Sequence, residues 1–115
     1  MHGGDVQITA REAGTVTVVE FEGHLDTNTA PEAKERLDGL QDGGVQKILV
    51  SFEKLDYISS AGLRILLATA KRLGASGGSL RICGLNETVS EVFEISGFSV
   101  ILSVFGNEAE ALEGF

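Results

Sequence analysis

The sequence predicts an α/β domain with a mixed β-sheet and helices, in the order β-β-α-β-α-β-α-β-α. Three patterns point that way. Val6, Ile8 and Ala10 alternate with polar neighbours, and after Glu12-Ala13-Gly14 a second strand pattern runs from Val16 to Phe21, which reads as a hairpin. Lys47-Ile48-Leu49-Val50-Ser51-Phe52 is a short apolar run without clear alternation, as suits a central strand covered on both faces. Leu63, Leu66, Leu67, Ala70 and Leu73 fall at helical spacing.

The remaining elements follow in order. Beyond Gly23, Thr29-Ala30-Pro31-Glu32 supplies a capping hydroxyl, an early proline and a Glu three residues on, and Ala33, Leu37 and Leu40 continue the helical pattern. The first helix is therefore expected from about Ala30 to Gln41, with Gly43-Gly44 as its stop. Then comes the central strand, and the second helix starts close to Ser60 and closes at Gly74 and Gly77-Gly78. Leu80-Arg81-Ile82-Cys83 alternates as a further strand. Asn86 is the cap of a third helix bearing Val89, Val92 and Phe93, which Gly97 stops. Val100 to Phe105 reads as the last strand, and Asn107 with Glu110 starts a last short helix.

Length and composition bound the rest. With 115 residues the chain reads as one domain over residues 1–115, with a flexible start of about five residues. A hydrophobic fraction of 43% and a charged fraction of 23% are those of a packed core, not of a disordered chain. No apolar run approaches the roughly 20 residues that a bilayer span requires. No basic start followed by an apolar stretch reads as a secretory signal, so no membrane association and a cytoplasmic location are expected. Cys83, the single cysteine, has no partner for an internal disulfide and reads as a small buried hydrophobe.

Nine Lys and Arg against 17 Asp and Glu give a net charge of −8, which argues against a nucleic-acid partner. The excess is uneven. Asp and Glu do not occur between Asp56 and Glu87, whereas Arg64, Lys71, Arg72 and Arg81 all fall in that interval.

Catalytic constellations are absent. The chain has no Walker A loop, no GxGxxG and no GxSxG, and neither His2 nor His24 has a second His or Cys at ligand spacing. A trio of Ser60, His24 and Asp26 has the residue types of a hydrolase without its nucleophile elbow. No catalytic residue, metal or cofactor is therefore expected.

The segment that stands out is Ser59-Ser60-Ala61-Gly62, between a buried-type strand and an amphipathic helix. One reading is an N-cap, in which a serine hydroxyl accepts a backbone N–H and contributes about 1 kcal/mol. The other is that Ser60 projects at the helix N-terminus beside small residues that let another protein approach. A phosphate there would be favoured by the helix dipole and by free N–H groups.

The stretch Leu55-Asp56-Tyr57-Ile58-Ser59-Ser60-Ala61-Gly62-Leu63-Arg64-Ile65-Leu66-Leu67 resembles the signature loop and helix of the STAS family, the domain of sulphate transporters and anti-sigma factor antagonists. Gly23-His24-Leu25-Asp26 is similar to the family's Gly-x-Leu-Asp turn, and the element order agrees across nearly the whole chain. As a free-standing domain the chain is more similar to the bacterial antagonists than to a transporter tail. That resemblance implies a regulatory switch, not an enzyme. The unmodified antagonist binds a serine-kinase anti-sigma factor and frees the sigma factor for transcription. The kinase then phosphorylates the antagonist with ATP, and a PP2C-type serine phosphatase reverses the change.

Carried over by position, the phosphoacceptor is Ser60, with Ser59 the alternative, because Ser59 stands where the family's usual pattern has an Asp. Asp26 matches another acid of the family's site, and also reads as a turn-forming Asp. The partner-facing patch is expected to comprise Asp26, Ser59, Ser60, Ala61, Gly62, Leu63 and Arg64, on a monomer or weak homodimer. Arg64 stands four residues after Ser60, within reach of a phosphate there, and otherwise reads as a solvated helix residue. Two rival readings stay open. One is a STAS-type adaptor in a signalling scaffold or lipid-transport complex, in which the serines merely cap the helix. The other, a small enzyme or nucleotide-binding protein, finds no phosphate loop and no nucleophile motif in the sequence.

Overall fold

The computed structural model describes residues 6–115, so His2 and the expected flexible start lie outside the described residues. β1 (Val6–Ala13) and β2 (Val16–Leu25) form the expected antiparallel hairpin, with Ala13 opposite Val16. Gly14 opens the two-residue turn at φ 66°, a left-handed backbone that matches the twist of the flanking strands. β3 (Lys47–Ile58) lies parallel to β2, β4 (Ser79–Cys83) parallel to β3, and β5 (Ser103–Phe105) parallel to β4. The spatial order is β1-β2-β3-β4-β5, a mixed sheet with β3 at its middle.

Because the parallel strands step in one direction across the sheet, right-handed crossovers put every connecting helix on the same face. α1 (Ala30–Asp42), α2 (Ser60–Ala75) and α3 (Glu87–Ser96) accordingly share one core. Ala33 and Leu37 of α1, Leu66 and Leu73 of α2, and Val89 and Phe93 of α3 pack with Phe21, Val50, Phe52 and Ile82 of the strands. Phe21 and Phe52 meet edge to face at 5.5 Å.

α5 (Glu108–Leu112) follows the last strand and covers part of the other face, where Ala111 packs with Val16, Val18, Leu49 and Cys83. Arg81 pins it there. Its guanidinium donates to the carbonyls of Ala111 (2.9 Å), Glu113 (2.6 Å) and Gly114 (3.0 Å), and lies over the rings of Phe105 and Phe115. β3 is thus covered on both faces.

The helix ends follow the sequence at three places. Asn86 Oδ1 accepts from the Val89 N–H at 2.8 Å, and Asn107 Oδ1 accepts from the Glu110 N–H at 2.9 Å. Gly97 ends α3 at φ 80°, a backbone that a residue with a Cβ rarely adopts.

Three boundaries differ, the first being β2, which runs on past Phe21 to Leu25. β3 continues past Phe52 to Ile58, because pairing with β2 shifts between Glu20 and Glu22 and again between Gly23 and His24. Leu55 and Ile58 are both buried in the helix-side core although three residues apart, so the extended segment lacks the alternation that marks a strand. Val100 to Phe105 is not one strand: a short helix, α4 (Phe98–Ile101), occupies its start and β5 keeps three residues. The left-handed turn at Gly97 restarts helical bonding, with the Val100 N–H donating to Gly97 O and the Leu102 N–H to Phe98 O.

Burial pushes the Cys83 thiol up to about 11. Between about pH 9 and 11 the unfolded chain gives up this proton while the folded chain keeps it, so rising pH favours unfolding over that window. Denaturant titration of the wild type and Cys83→Ala should show the stability advantage of the wild type shrinking from pH 9 to 11. A constant gap would contradict the burial.

Candidate functional site

At the C-terminal edge of the parallel strands, two loops are tied together through the backbone. Leu25, the last residue of β2, pairs with Ile58, the last residue of β3. The next N–H, that of Ser59, donates to Leu25 O at 2.9 Å, and Leu63 N–H to Ser59 O at 3.0 Å opens the helical ladder of α2. Gly62 makes the approach possible. A Cβ there would lie 2.8 Å from Leu25 Cγ, 2.9 Å from Ile58 Cγ1 and 3.1 Å from Leu25 O.

Asp26 follows at once and organises the loop into α1. Its Oδ1 accepts from the N–H groups of Asn28 (2.9 Å) and Thr29 (3.1 Å), and its own N–H donates to Thr29 Oγ1 at 2.8 Å. Thr29 occupies the N-cap position of α1, but its hydroxyl does not cap the helix as expected from the sequence. It donates instead to His24 O at 2.8 Å, because the chain folds back on the end of β2.

The two serines are placed differently. Ser59 is the N-cap residue of α2 with extended backbone, yet its hydroxyl accepts no cap hydrogen bond. Its Oγ is buried and has no partner among the described residues. Ser60, the first residue of the helix, is exposed. The N–H groups of Ser60, Ala61 and Gly62 precede the first intrahelical bond, and no acidic residue lies in this first turn.

The other expected patch residues divide by depth. Arg64 is exposed and makes no ion pair among the described residues, and Ala61 is half-buried. Gly62 and Leu63 are buried and support the loop from beneath. Two further residues stand at this edge. Tyr57 is 45% exposed and meets His24 edge to face at 6.2 Å across the β2–β3 pairing. The sequence signal for Tyr57 was a single aromatic between Asp56 and Ile58, legible only once the register of β3 is known. Among the described residues no three His, Cys, Asp or Glu side chains gather as metal ligands would. Nor is any described helix long and apolar enough to cross a membrane.

The model of the STAS domain matches residues 7–111. This chain belongs to the STAS family. The Bordetella bronchiseptica protein BtrV is 34% identical over 110 residues, covering 96% of this chain and 95% of its own. The anti-sigma-B factor antagonist of Staphylococcus aureus is 33% identical over 95 residues, covering 83% and 86%. The STAS fold itself is matched by the crystal structure of an anti-sigma factor antagonist from Mycobacterium paratuberculosis, at a TM-score of 0.87 and 18% identity, over 94% of this chain and 92% of that one. The Bacillus cell fate determinant SpoIIAA in its phosphorylated form superposes at 0.71 and 22% identity, over 93% and 97%.

Within this STAS domain the close contact at residue 62 should oppose helix propensity. Gly39→Ala in α1, where a Cβ meets nothing within 4 Å, should stabilise by about 0.5–1 kcal/mol. Gly62→Ala should instead destabilise by about 1–2 kcal/mol, because overpacking outweighs that gain. Both are read by denaturant unfolding, and the same sign for the two would contradict the seating of α2. Ser59→Ala is a separate test. Loss of a functioning cap costs about 1 kcal/mol, whereas removing this unpartnered hydroxyl should leave stability unchanged or raised.

Proposed function

We propose that this chain is an anti-sigma factor antagonist whose binding to an anti-sigma factor is switched by phosphorylation of Ser60. The observation that carries the reading is the separation of the two serines: Ser60 is exposed at the start of α2, while the Ser59 hydroxyl is buried. A kinase needs the acceptor oxygen in the open, so the geometry favours Ser60. The names of relatives support the antagonist role.

In this reading the anti-sigma factor is a serine kinase. The unmodified chain occupies it and thereby frees the sigma factor. The kinase transfers the γ-phosphoryl group of ATP to Ser60 Oγ: the new O–P bond forms, the bond to ADP breaks, and the hydroxyl proton passes to a base of the kinase. A PP2C-type phosphatase hydrolyses the ester and restores the hydroxyl. The chain itself contributes no catalysis and holds no cofactor, and it works in the cytoplasm as a monomer or weak homodimer.

The partner-facing surface consists of Ser60, Ala61 and Arg64 on α2, Asp26 on the neighbouring loop and Tyr57 with His24 at the strand edge. Gly62 and Leu63 hold the loop in place from below. A phosphate adds about −1.5 to −2 charges to a face that must lose water against its partner, so binding weakens. The free N–H groups of the first turn and the Arg64 side chain four residues on can accommodate that charge without unfolding the helix. The rival reading, an unmodified STAS adaptor whose serines only cap α2, has less support, since neither hydroxyl makes a cap bond.

Incubation with the cognate kinase and ATP, followed by peptide mass spectrometry, should place phosphate on Ser60. Phosphate on Ser59 alone, or on neither, would overturn the assignment. In a pull-down with the anti-sigma factor, Ser60→Asp should weaken binding by about tenfold or more and Ser60→Ala should bind in the presence of ATP. Equal affinity of the two variants would remove the switch.

A further inference from the structure

Four large apolar side chains stand exposed among the described residues, and three of them lie within seven positions of one another. Ile95 is 84% exposed, Val100 89% and Ile101 61%. They occupy the corner where α3 ends, Gly97 turns at φ 80° and α4 begins. Apolar residues scattered singly over a surface are ordinary, whereas three carried by one short turn of the chain mark a candidate contact site. Nothing in the core requires these three: Val89 and Phe93 anchor α3, and Leu102 closes the segment behind α4.

This corner is distant from the Ser60 loop. Asn86 Nδ2 donates to Leu55 O, which fixes the start of α3 beside the C-terminal part of β3. The helix then runs ten residues, about 15 Å, away from that edge. α4 leads into Ser103, which pairs with Arg81 in the parallel β4–β5 ladder. The corner therefore faces the opposite end of the sheet.

Its charge is one-sided. From Ile82 to Phe115 the sequence carries six Glu and no Lys, Arg or His. Glu91 stands one helical turn before Ile95 and Glu94 directly beside it, both exposed and neither in an ion pair among the described residues. A second copy of the chain would bring the same carboxylates against these, and an anionic membrane surface would be repelled. An apolar centre with an acidic border complements a helix that has an apolar stripe and basic flanks.

We infer that the α3–α4 corner is a docking surface for a basic amphipathic helix of a partner protein. Ile95, Val100 and Ile101 receive its apolar stripe, and Glu91 and Glu94 face its cations. The inference does not depend on the Ser60 switch, because it rests on a separate surface.

The probe is a short fluorescent peptide of Leu and Lys in amphipathic order, with a scrambled peptide as control, titrated with the whole chain and read by anisotropy. Binding is expected for the amphipathic peptide alone, with backbone-amide NMR shifts confined to residues 87–101. The double variant Ile95→Ser with Val100→Ser should weaken it by about tenfold. Glu91→Lys with Glu94→Lys, which leaves the apolar centre intact, should weaken it at least as much, and added salt should no longer weaken binding further. All four positions are exposed, and circular dichroism checks that the variants keep the fold. No binding, equal binding by the variants, or shifts centred on residues 57–64 would overturn the inference. So would self-association lost in the Ile95→Ser variant, or co-sedimentation with phosphatidylglycerol vesicles, which would assign the surface to a second copy or to a membrane.

Discussion

The start of α2 passes so close to the end of β2 that residue 62 has no room for a side chain, and the arrangement of the site depends on this contact. Leu25 and Ile58 fill the space that a Cβ would need, and the Ser59 N–H donates to Leu25 O alongside. The helix axis is thereby fixed relative to two strands at once. Ser60 then projects outward because Gly62, two positions on and roughly 200° around the helix, is turned into the domain. A larger residue at 62 would lift the helix end and part the two loops.

That seating bears on how the proposed switch works. The exposed Ser60 lies above buried residues that belong to a core shared by three helices and the strands. A phosphate on its hydroxyl adds charge at the surface without entering that core. The response of a partner is then a matter of desolvation and local charge at one face, with no need for a second fold state. The same one-face packing of α1, α2 and α3 follows from the strand order, since four parallel strands laid side by side in sequence leave their crossovers no other face. Only α5, which no strand follows, is placed on the far side, where Arg81 holds it by its last carbonyls.

Much of this was legible in the residues themselves. Strand alternation in β1 and β2, the apolar run in β3 and the spacing of Leu63, Leu66 and Leu73 are local signals, and local signals specify elements well. Asn86 and Asn107 cap as their positions suggested, because the short amide side chain reaches the N–H three residues on without help from a neighbouring element. What was not legible required knowledge of neighbours. The Thr29 hydroxyl is drawn to His24 O by the fold of the loop, and the Ser59 hydroxyl makes no cap bond although its residue stands at the N-cap of α2. The continuation of β3 to Ile58 depends on register shifts in a partner strand. Gly62 read as an opening for a partner, whereas the close approach it permits is internal. The apolar letters of Val100 and Ile101 suggested a strand, and their exposure in α4 shows that hydrophobicity alone does not assign depth.

The net charge of −8 describes neither surface at which partners are proposed. Between Asp56 and Glu87 the chain has four cations and no acid, and beyond Arg81 it has six acids and no cation. The fold separates the residues of the two proposed surfaces: Ser60 and Arg64 lie at the C-terminal edge of the strands, Glu91 and Glu94 toward the other end. The ten residues of α3, about 15 Å, lie between the two ends, more than the Debye length of about 8 Å at physiological salt. Charge placed at Ser60 is therefore screened before it reaches the α3–α4 corner. If both proposals hold, the two surfaces act independently, one gated by phosphate and the other open throughout, so that a single chain holds one partner while it releases another.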